Sequence, residues 1–276
     1  MQACYRSTTT ADSWQVGDTR LHSRFLLGTA GYPSPQVLSE AIVAAGTQVV
    51  TVGLKRTLAA SGDNGFIAIV RAALAATGAR LLPNTAGCRT AREAVQLAHM
   101  ARELYDTPWI KLEVVGDEHT LQPDPFELLA AATQLVRDGF TVLPYCTDDL
   151  ILCRRLLDAG CPLLMPWGAP IGSGQGLLNP FALRTLRERL PDATLIIDAG
   201  IGAPSHAAQA LELGFDAVLL NSAVAQSPEP VAMANAFRLA IEAGRAAWRA
   251  GVMAPQDFAV ASTPVGGAPV LLGGAP

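Results

Sequence analysis

Lysine is almost missing from this chain: of its twenty Lys and Arg residues, only Lys55 and Lys111 are lysines. Arginine stays protonated, whereas a lysine can shed its proton and attack a carbonyl, so a lysine kept where arginine does the ordinary charge work is informative. Charge in general is sparse, at 16% of residues with a net charge of −4, and no basic run is longer than a pair such as Arg154-Arg155. That excludes a nucleic-acid or anionic-membrane surface. The four histidines, His22, His99, His119 and His206, have no metal-ligand spacing, so neither a metal nor a cofactor is expected. The five cysteines, Cys4, Cys88, Cys146, Cys153 and Cys161, are odd in number and form no CxxC pair. They read as reduced thiols of a cytosolic protein, with a reactive thiol at Cys88 or Cys146 as the lesser alternative. No apolar run reaches the roughly eighteen residues of a membrane span, and an N-terminus carrying Asp12 and Asp18 is no secretory signal. A soluble, cytoplasmic protein is expected. GxSxG, GxGxxG and Gly-Lys-Ser/Thr motifs are also missing, which removes serine hydrolases, dinucleotide folds and P-loop nucleotide sites.

What is present is repetition. Eight short apolar runs recur: 24–30, 49–55, 80–86, 109–115, 141–146, 162–168, 194–200 and 217–223. Segments of helical period separate them, for example 90–105, where Thr90 and Glu93 form a capping pair before an apolar stripe. Eight strands alternating with eight helices count out a single α/β domain, a (β/α)8 TIM barrel. An N-terminal extension over 1–20, with one capping strand at most, precedes a barrel domain over 21–253. A Gly/Pro-rich C-terminal tail over 254–276 follows.

Lys111 lies inside the run Trp109-Ile110-Lys111-Leu112-Glu113-Val114-Val115. Strand alternation points Lys111 and Glu113 one way and Ile110, Leu112 and Val114 the other, so an ammonium and a carboxylate share a site. This is either a nucleophile with an acid/base partner or a buried ion pair closing a barrel. Asp198 ends the run Leu195-Ile196-Ile197 and projects at the barrel mouth near Lys111, or else caps a helix. Loops after the seventh and eighth strands frequently bind phosphate in this fold. Here they read Asp198-Ala199-Gly200-Ile201-Gly202-Ala203-Pro204 and Asn221-Ser222-Ala223-Val224, small and glycine-bearing, so they suit an anion or form turns without a ligand. The sixth-strand loop, Gly168 to Gly176, reads as a backbone-lined wall.

Five of these pieces, Leu82-Pro83-Asn84-Thr85-Ala86-Gly87-Cys88, Lys111-Leu112-Glu113-Val114, Gly172-Ser173-Gly174-Gln175-Gly176, Asp198-Ala199-Gly200-Ile201-Gly202 and Leu219-Leu220-Asn221-Ser222-Ala223, resemble the thiazole synthase family of bacterial thiamine biosynthesis in order and spacing. The resemblance spans about Phe25 to Gly251. It implies a barrel enzyme that condenses 1-deoxy-D-xylulose 5-phosphate, dehydroglycine and the sulfur of a carrier protein's thiocarboxylate into a thiazole phosphate. Lys111 would form the imine, Glu113 and Asp198 would move protons, and Gly172, Ala199, Gly200, Asn221 and Ser222 would hold the sugar phosphate. The sulfur carrier, the dehydroglycine-forming enzyme and further copies of the chain are the implied partners. Ser222 stands where many relatives carry threonine, and Thr29-Ala30-Gly31-Tyr32 lacks a lysine often found there. The alternatives are a Schiff-base phosphosugar aldolase and a non-catalytic barrel that binds a phosphometabolite. Barrel burial is expected to supply any depression of the Lys111 pKa, against the opposing pull of Glu113.

Overall fold

The computed structural model describes residues 12–55 and 64–262, so Cys4 and the outer parts of both terminal segments lie outside the described residues. A hairpin, β1 (Trp14–Val16) against β2 (Thr19–Leu21), precedes eight strands: β3 (Phe25–Gly28), β4 (Val49–Gly53), β5 (Arg80–Asn84), β6 (Trp109–Leu112), β7 (Thr141–Cys146), β8 (Leu163–Pro166), β9 (Thr194–Asp198) and β10 (Ala217–Leu220). These eight pair in parallel in chain order, and β10 closes on β3 to complete the barrel. The helices are α1 (Pro35–Ala45), α2 (Asn64–Thr77), α3 (Ala91–Tyr105), α4 (Pro125–Arg137), α5 (Leu150–Asp158), α6 (Pro180–Arg189), α7 (Pro204–Glu212), α8 (Ser222–Ala225) and α9 (Pro230–Ala250). Among the described residues no helix is long and apolar enough to cross a membrane.

Helix starts follow local chemistry. The side chains of Ser34, Thr90, Asp124, Asp149 and Asn179 accept backbone N–H bonds at the openings of α1, α3, α4, α5 and α6. Each satisfies a donor the first helical turn would otherwise leave orphaned. Proline stands in the first turn of α1, α4, α6, α7 and α9, where its missing N–H costs nothing.

The strand alternation divides two apolar layers. Ile110, Leu112 and Val114 join Leu97, Ala98, Leu128 and Leu135 in the layer between strands and helices. Trp109 points inward with Leu82, Leu143, Leu163, Met165 and Ile196, and Trp14, Val16 and Leu21 of the hairpin complete that inner cluster. The hairpin therefore plugs the N-terminal end of the barrel. Trp14 Nε1 donates to Ser23 O at 2.9 Å. Asp12 takes Arg24 and Arg245 at 2.8 Å each, and their bonds and charge hold its carboxyl well below the usual carboxylate range. With one end closed by the hairpin, the strand ends that carry Lys111 and Asp198 lead to the other.

Candidate active site

Lys111 comes from β6, Glu113 lies one residue past its end, and Asp198 ends β9. All three are at most 5% exposed. Lys111 Nζ lies 3.0 Å from Glu113 Oε1 and 2.7 Å from Asp198 Oδ2. The shorter contact, to Asp198, combines opposite charge with a hydrogen bond from the Lys111 ammonium. Asp198 is no helix cap: the cap position of α7 belongs to Ala203, which makes no side-chain bond. Around the triad, Asn84 is spent on structure, donating to Thr51 Oγ1 at 3.1 Å and accepting from Ala86 N at 3.2 Å. Thr85 Oγ1 donates to Glu113 O and accepts from Glu113 N, both at 2.8 Å, which pins the backbone that carries the carboxylate. The Tyr145 ring lies 5.7 Å from Lys111 Nζ.

The electrostatics correct the sequence-based expectation for Lys111. Burial does pull its pKa down, but the charges of Asp198 and then Glu113 push it up by more, and the net shift is upward. One ammonium faces two carboxylates, so the fully ionised triad carries a net charge of −1 in a low-dielectric pocket. The same surplus acts on Asp198: burial raises its pKa, Lys111 opposes this, Glu113 adds to it, and the result is about 6. Loss of a Lys111 proton to bulk water is therefore disfavoured, while transfer across 2.7 Å to Asp198 neutralises two buried charges at once. Asp198 must be ionised to accept that proton. Any reaction that needs an unprotonated Lys111 is expected to speed up with pH through an apparent value of about 6, a property of the coupled triad. A pre-steady-state pH profile checks this. Asp198→Asn should abolish the inflection, and a profile unchanged by that substitution would remove Asp198 from the proton path.

The triad opens into a cavity of about 1000 Å³ whose lining includes Gly172, Ser173, Ala199, Gly200, Asn221, Ser222 and Lys55. All five positions expected to hold a phosphate thus line the same cavity. Backbone N–H groups of Gly172, Gly200 and Ser222 have no protein acceptor among the described residues. Ala199 and Gly200 both take positive φ, 71° and 80°. Gly200 also sits against the β8 loop so closely that a Cβ would stand 2.3 Å from Ala169 N. Gly176 N donates to Gly200 O at 2.7 Å and Gly168 N to Ala199 O at 3.3 Å. The glycines of these two loops therefore serve loop-to-loop packing in addition to any ligand.

Three features escaped the sequence. Lys55 lines the same cavity, but its ammonium donates to Gly87 O at 2.6 Å and lies 3.7 Å from Glu93. Ser173 Oγ and Asn221 Oδ1 are buried without a hydrogen-bond partner. Both line the cavity. A buried polar atom left unpaired costs about 1–3 kcal/mol, and a cluster at one cavity is what a ligand would relieve. Cys88 and Cys146 are fully buried; burial raises the Cys88 thiol, and Cys153 together with burial raises that of Cys146, so neither is a ready nucleophile. Among the described residues no cluster of His, Cys, Asp and Glu could hold a metal ion.

The geometry can be set beside known proteins. A family model described as thiazole biosynthesis protein ThiG matches residues 15–264. The thiazole synthase of Coxiella burnetii (strain RSA 493 / Nine Mile phase I) is 57% identical over 259 residues, 94% of this chain and 98% of the relative. That of Ralstonia nicotianae (strain ATCC BAA-1114 / GMI1000) is 58% identical over 261 residues, 94% of each chain. Among solved structures, the Amycolatopsis orientalis BexX/CysO complex contains a chain matched with a TM-score of 0.76 and 29% identity, over 89% of this chain and 98% of that one. The 3-hexulose-6-phosphate synthase of Salmonella typhimurium, at 17% identity and a TM-score of 0.56 over 79% of this chain and 98% of that one, shares the fold.

Proposed function

From the premise that the chain belongs to the ThiG family, and so is a thiazole synthase of thiamine biosynthesis, we propose that Lys111 is the residue that captures the ketone of 1-deoxy-D-xylulose 5-phosphate as an imine. The observation that carries this is the placement of a buried lysine between two carboxylates at 2.7 and 3.0 Å, at the inner end of the cavity. Lys111 passes one proton to Asp198, and its free electron pair forms a C–N bond to the ketone carbon. Glu113 carries a second proton from nitrogen to the former carbonyl oxygen. Asp198 then returns its proton to that oxygen, the C–O bond breaks and water leaves, with the nitrogen keeping its last hydrogen as a cationic imine. That cation draws electrons from the adjacent carbon and makes its proton removable by the same carboxylates. Gly172, Ala199, Gly200, Asn221 and Ser222 hold the phosphate end through their loop backbone, which the unpaired N–H groups at 172, 200 and 222 support.

Dehydroglycine is the second substrate in this reading, and sulfur arrives as the C-terminal thiocarboxylate of a carrier protein. The two-protein complex that contains a structural neighbour supports a protein partner at this barrel. The enzyme that forms dehydroglycine is a further partner, the working form is a homo-oligomer, and the compartment is the cytoplasm. A reconstitution with each component omitted in turn is the test. Thiazole phosphate should form only when the sugar phosphate, dehydroglycine and a thiocarboxylated carrier are all present. Cleavage of the sugar phosphate without any sulfur source would instead indicate an aldolase.

A further inference from the structure

We infer that the side chain of Asn221 reads a secondary hydroxyl of the substrate and does not hold its phosphate, an assignment that rests on the ketose-phosphate reading above. Asn221 is the first residue after β10. Its Nδ2 donates to Ala30 O at 2.9 Å. A flipped amide would set Oδ1 against that carbonyl oxygen, lone pair to lone pair, so the amide orientation is fixed by its partner. Gly28 tightens the fit, because a Cβ there would stand 2.6 Å from Asn221 Cβ. The remaining atom, Oδ1, is buried, has no hydrogen-bond partner and belongs to a residue that lines the cavity.

An amide oxygen only accepts. A phosphate monoester carries a charge of about −1.5 to −2 at neutral pH and offers acceptor oxygens, so Oδ1 beside it would meet repulsion and not a bond. Oδ1 is satisfied only by an O–H or N–H donor, which a ligand hydroxyl at this cavity supplies. Its position suits the middle of the ketose: Leu219 pairs with Asp198 in the barrel ladder, and Asn221 lies two residues further along the same strand direction. That places it about two strand residues beyond the carboxylate at the imine, toward the barrel mouth, and next to Ser222, one of the proposed phosphate positions. With the C2 carbon at Lys111 and the C5 phosphate at the loop backbone, the hydroxyls at C3 and C4 fall between. Ser173 Oγ, the other unpaired atom at this cavity, can donate or accept and so is free to serve the phosphate instead.

The test is calorimetric binding of 1-deoxy-D-xylulose 5-phosphate, its two analogues lacking the C3 or the C4 hydroxyl, and inorganic phosphate, to the wild type and to Asn221→Ala. Wild type should bind one of the two analogues about tenfold more weakly than the parent, since its removal leaves Oδ1 unpaired. Asn221→Ala should lose about tenfold for the parent, little for that one analogue, and nothing for inorganic phosphate. An equal loss for the parent and both analogues, or any matching loss for inorganic phosphate, would overturn the assignment. The wild-type series decides alone should the variant fail to fold: equal binding of parent and both analogues also overturns it. Wild type that binds neither the sugar phosphate nor inorganic phosphate would instead bring down the ketose-phosphate reading itself, and the hydroxyl assignment with it.

Discussion

Lys111→Arg should lower thiazole formation by about three orders of magnitude or more while leaving the barrel folded. Arginine keeps a cation between Glu113 and Asp198, so the buried carboxylates retain their counter-charge at the centre of the triad. What it removes is the nucleophile, because a guanidinium does not give up its proton at any working pH. The contrast with Lys111→Met separates chemistry from folding. Methionine leaves two carboxylates, 5% and 2% exposed, without a cation. Breaking a buried pair in that way costs about 3–5 kcal/mol, less as the pH falls and Asp198, no longer held down by the Lys111 charge, takes up a proton. Turnover and thermal unfolding measured on both variants give the answer. Residual activity in Lys111→Arg above about a tenth of wild type would mean that the ammonium acts as a charge only.

Gly200→Val should destabilise the protein by about 4 kcal/mol and abolish sugar-phosphate binding as a consequence. The reason is backbone packing before it is ligand space. At φ 80° a β-branched residue is strained, and its Cβ would lie 2.3 Å from Ala169 N and 2.5 Å from Ala169 Cβ, atoms that cannot swing aside. The β8 and β9 loops would have to part, breaking the Gly176 N to Gly200 O bond. Denaturant melts and phosphate binding on the same sample check this. A variant with normal stability but lost phosphate affinity would mean that residue 200 faces the ligand and not the neighbouring loop.

The barrel was legible because its period is strong. Thr141–Cys146 and Pro35–Ala45 fall where the apolar pattern put them, bounded by a glycine or an opening proline. Other strands stop two or three residues early, as β6 does at Leu112. Val114 stays buried and Val115 bridges to Pro123, so apolar character continues after the ladder has ended. The short α8 was missed, since four residues carry no helical period. The hairpin at Trp14–Leu21 was visible only as a capping strand. Its role as barrel floor depends on a cluster drawn from all eight barrel strands.

At the site, Lys111 and Glu113 were readable as a pair because β alternation alone sets them on one face. Asp198 was placed nearby from its strand end, but a contact between residues so far apart in sequence exists only once β6 and β9 face each other across a closed barrel. The sign of the Lys111 shift was missed for the same reason: the sequence displayed one neighbouring carboxylate with certainty, and the geometry supplies two at 3.0 Å or less. The packing duty of Gly200 and the fixed amide of Asn221 depend on loops that meet in space, at Ala169 and Ala30, and no local pattern announces either.

The most direct measurement of the central claim is borohydride reduction of the wild-type protein in the presence of 1-deoxy-D-xylulose 5-phosphate, followed by peptide mass mapping. Only two lysines are available, Lys55 and Lys111, so the outcome is a choice between them. Lys55 lies on the same cavity with its ammonium held by Gly87 O and Glu93, which makes it a fair internal control. A reduced sugar-phosphate adduct should form on Lys111 and leave Lys55 unmodified; an adduct on Lys55, or none on either lysine under conditions that support turnover, would rule out Lys111 as the imine-forming residue.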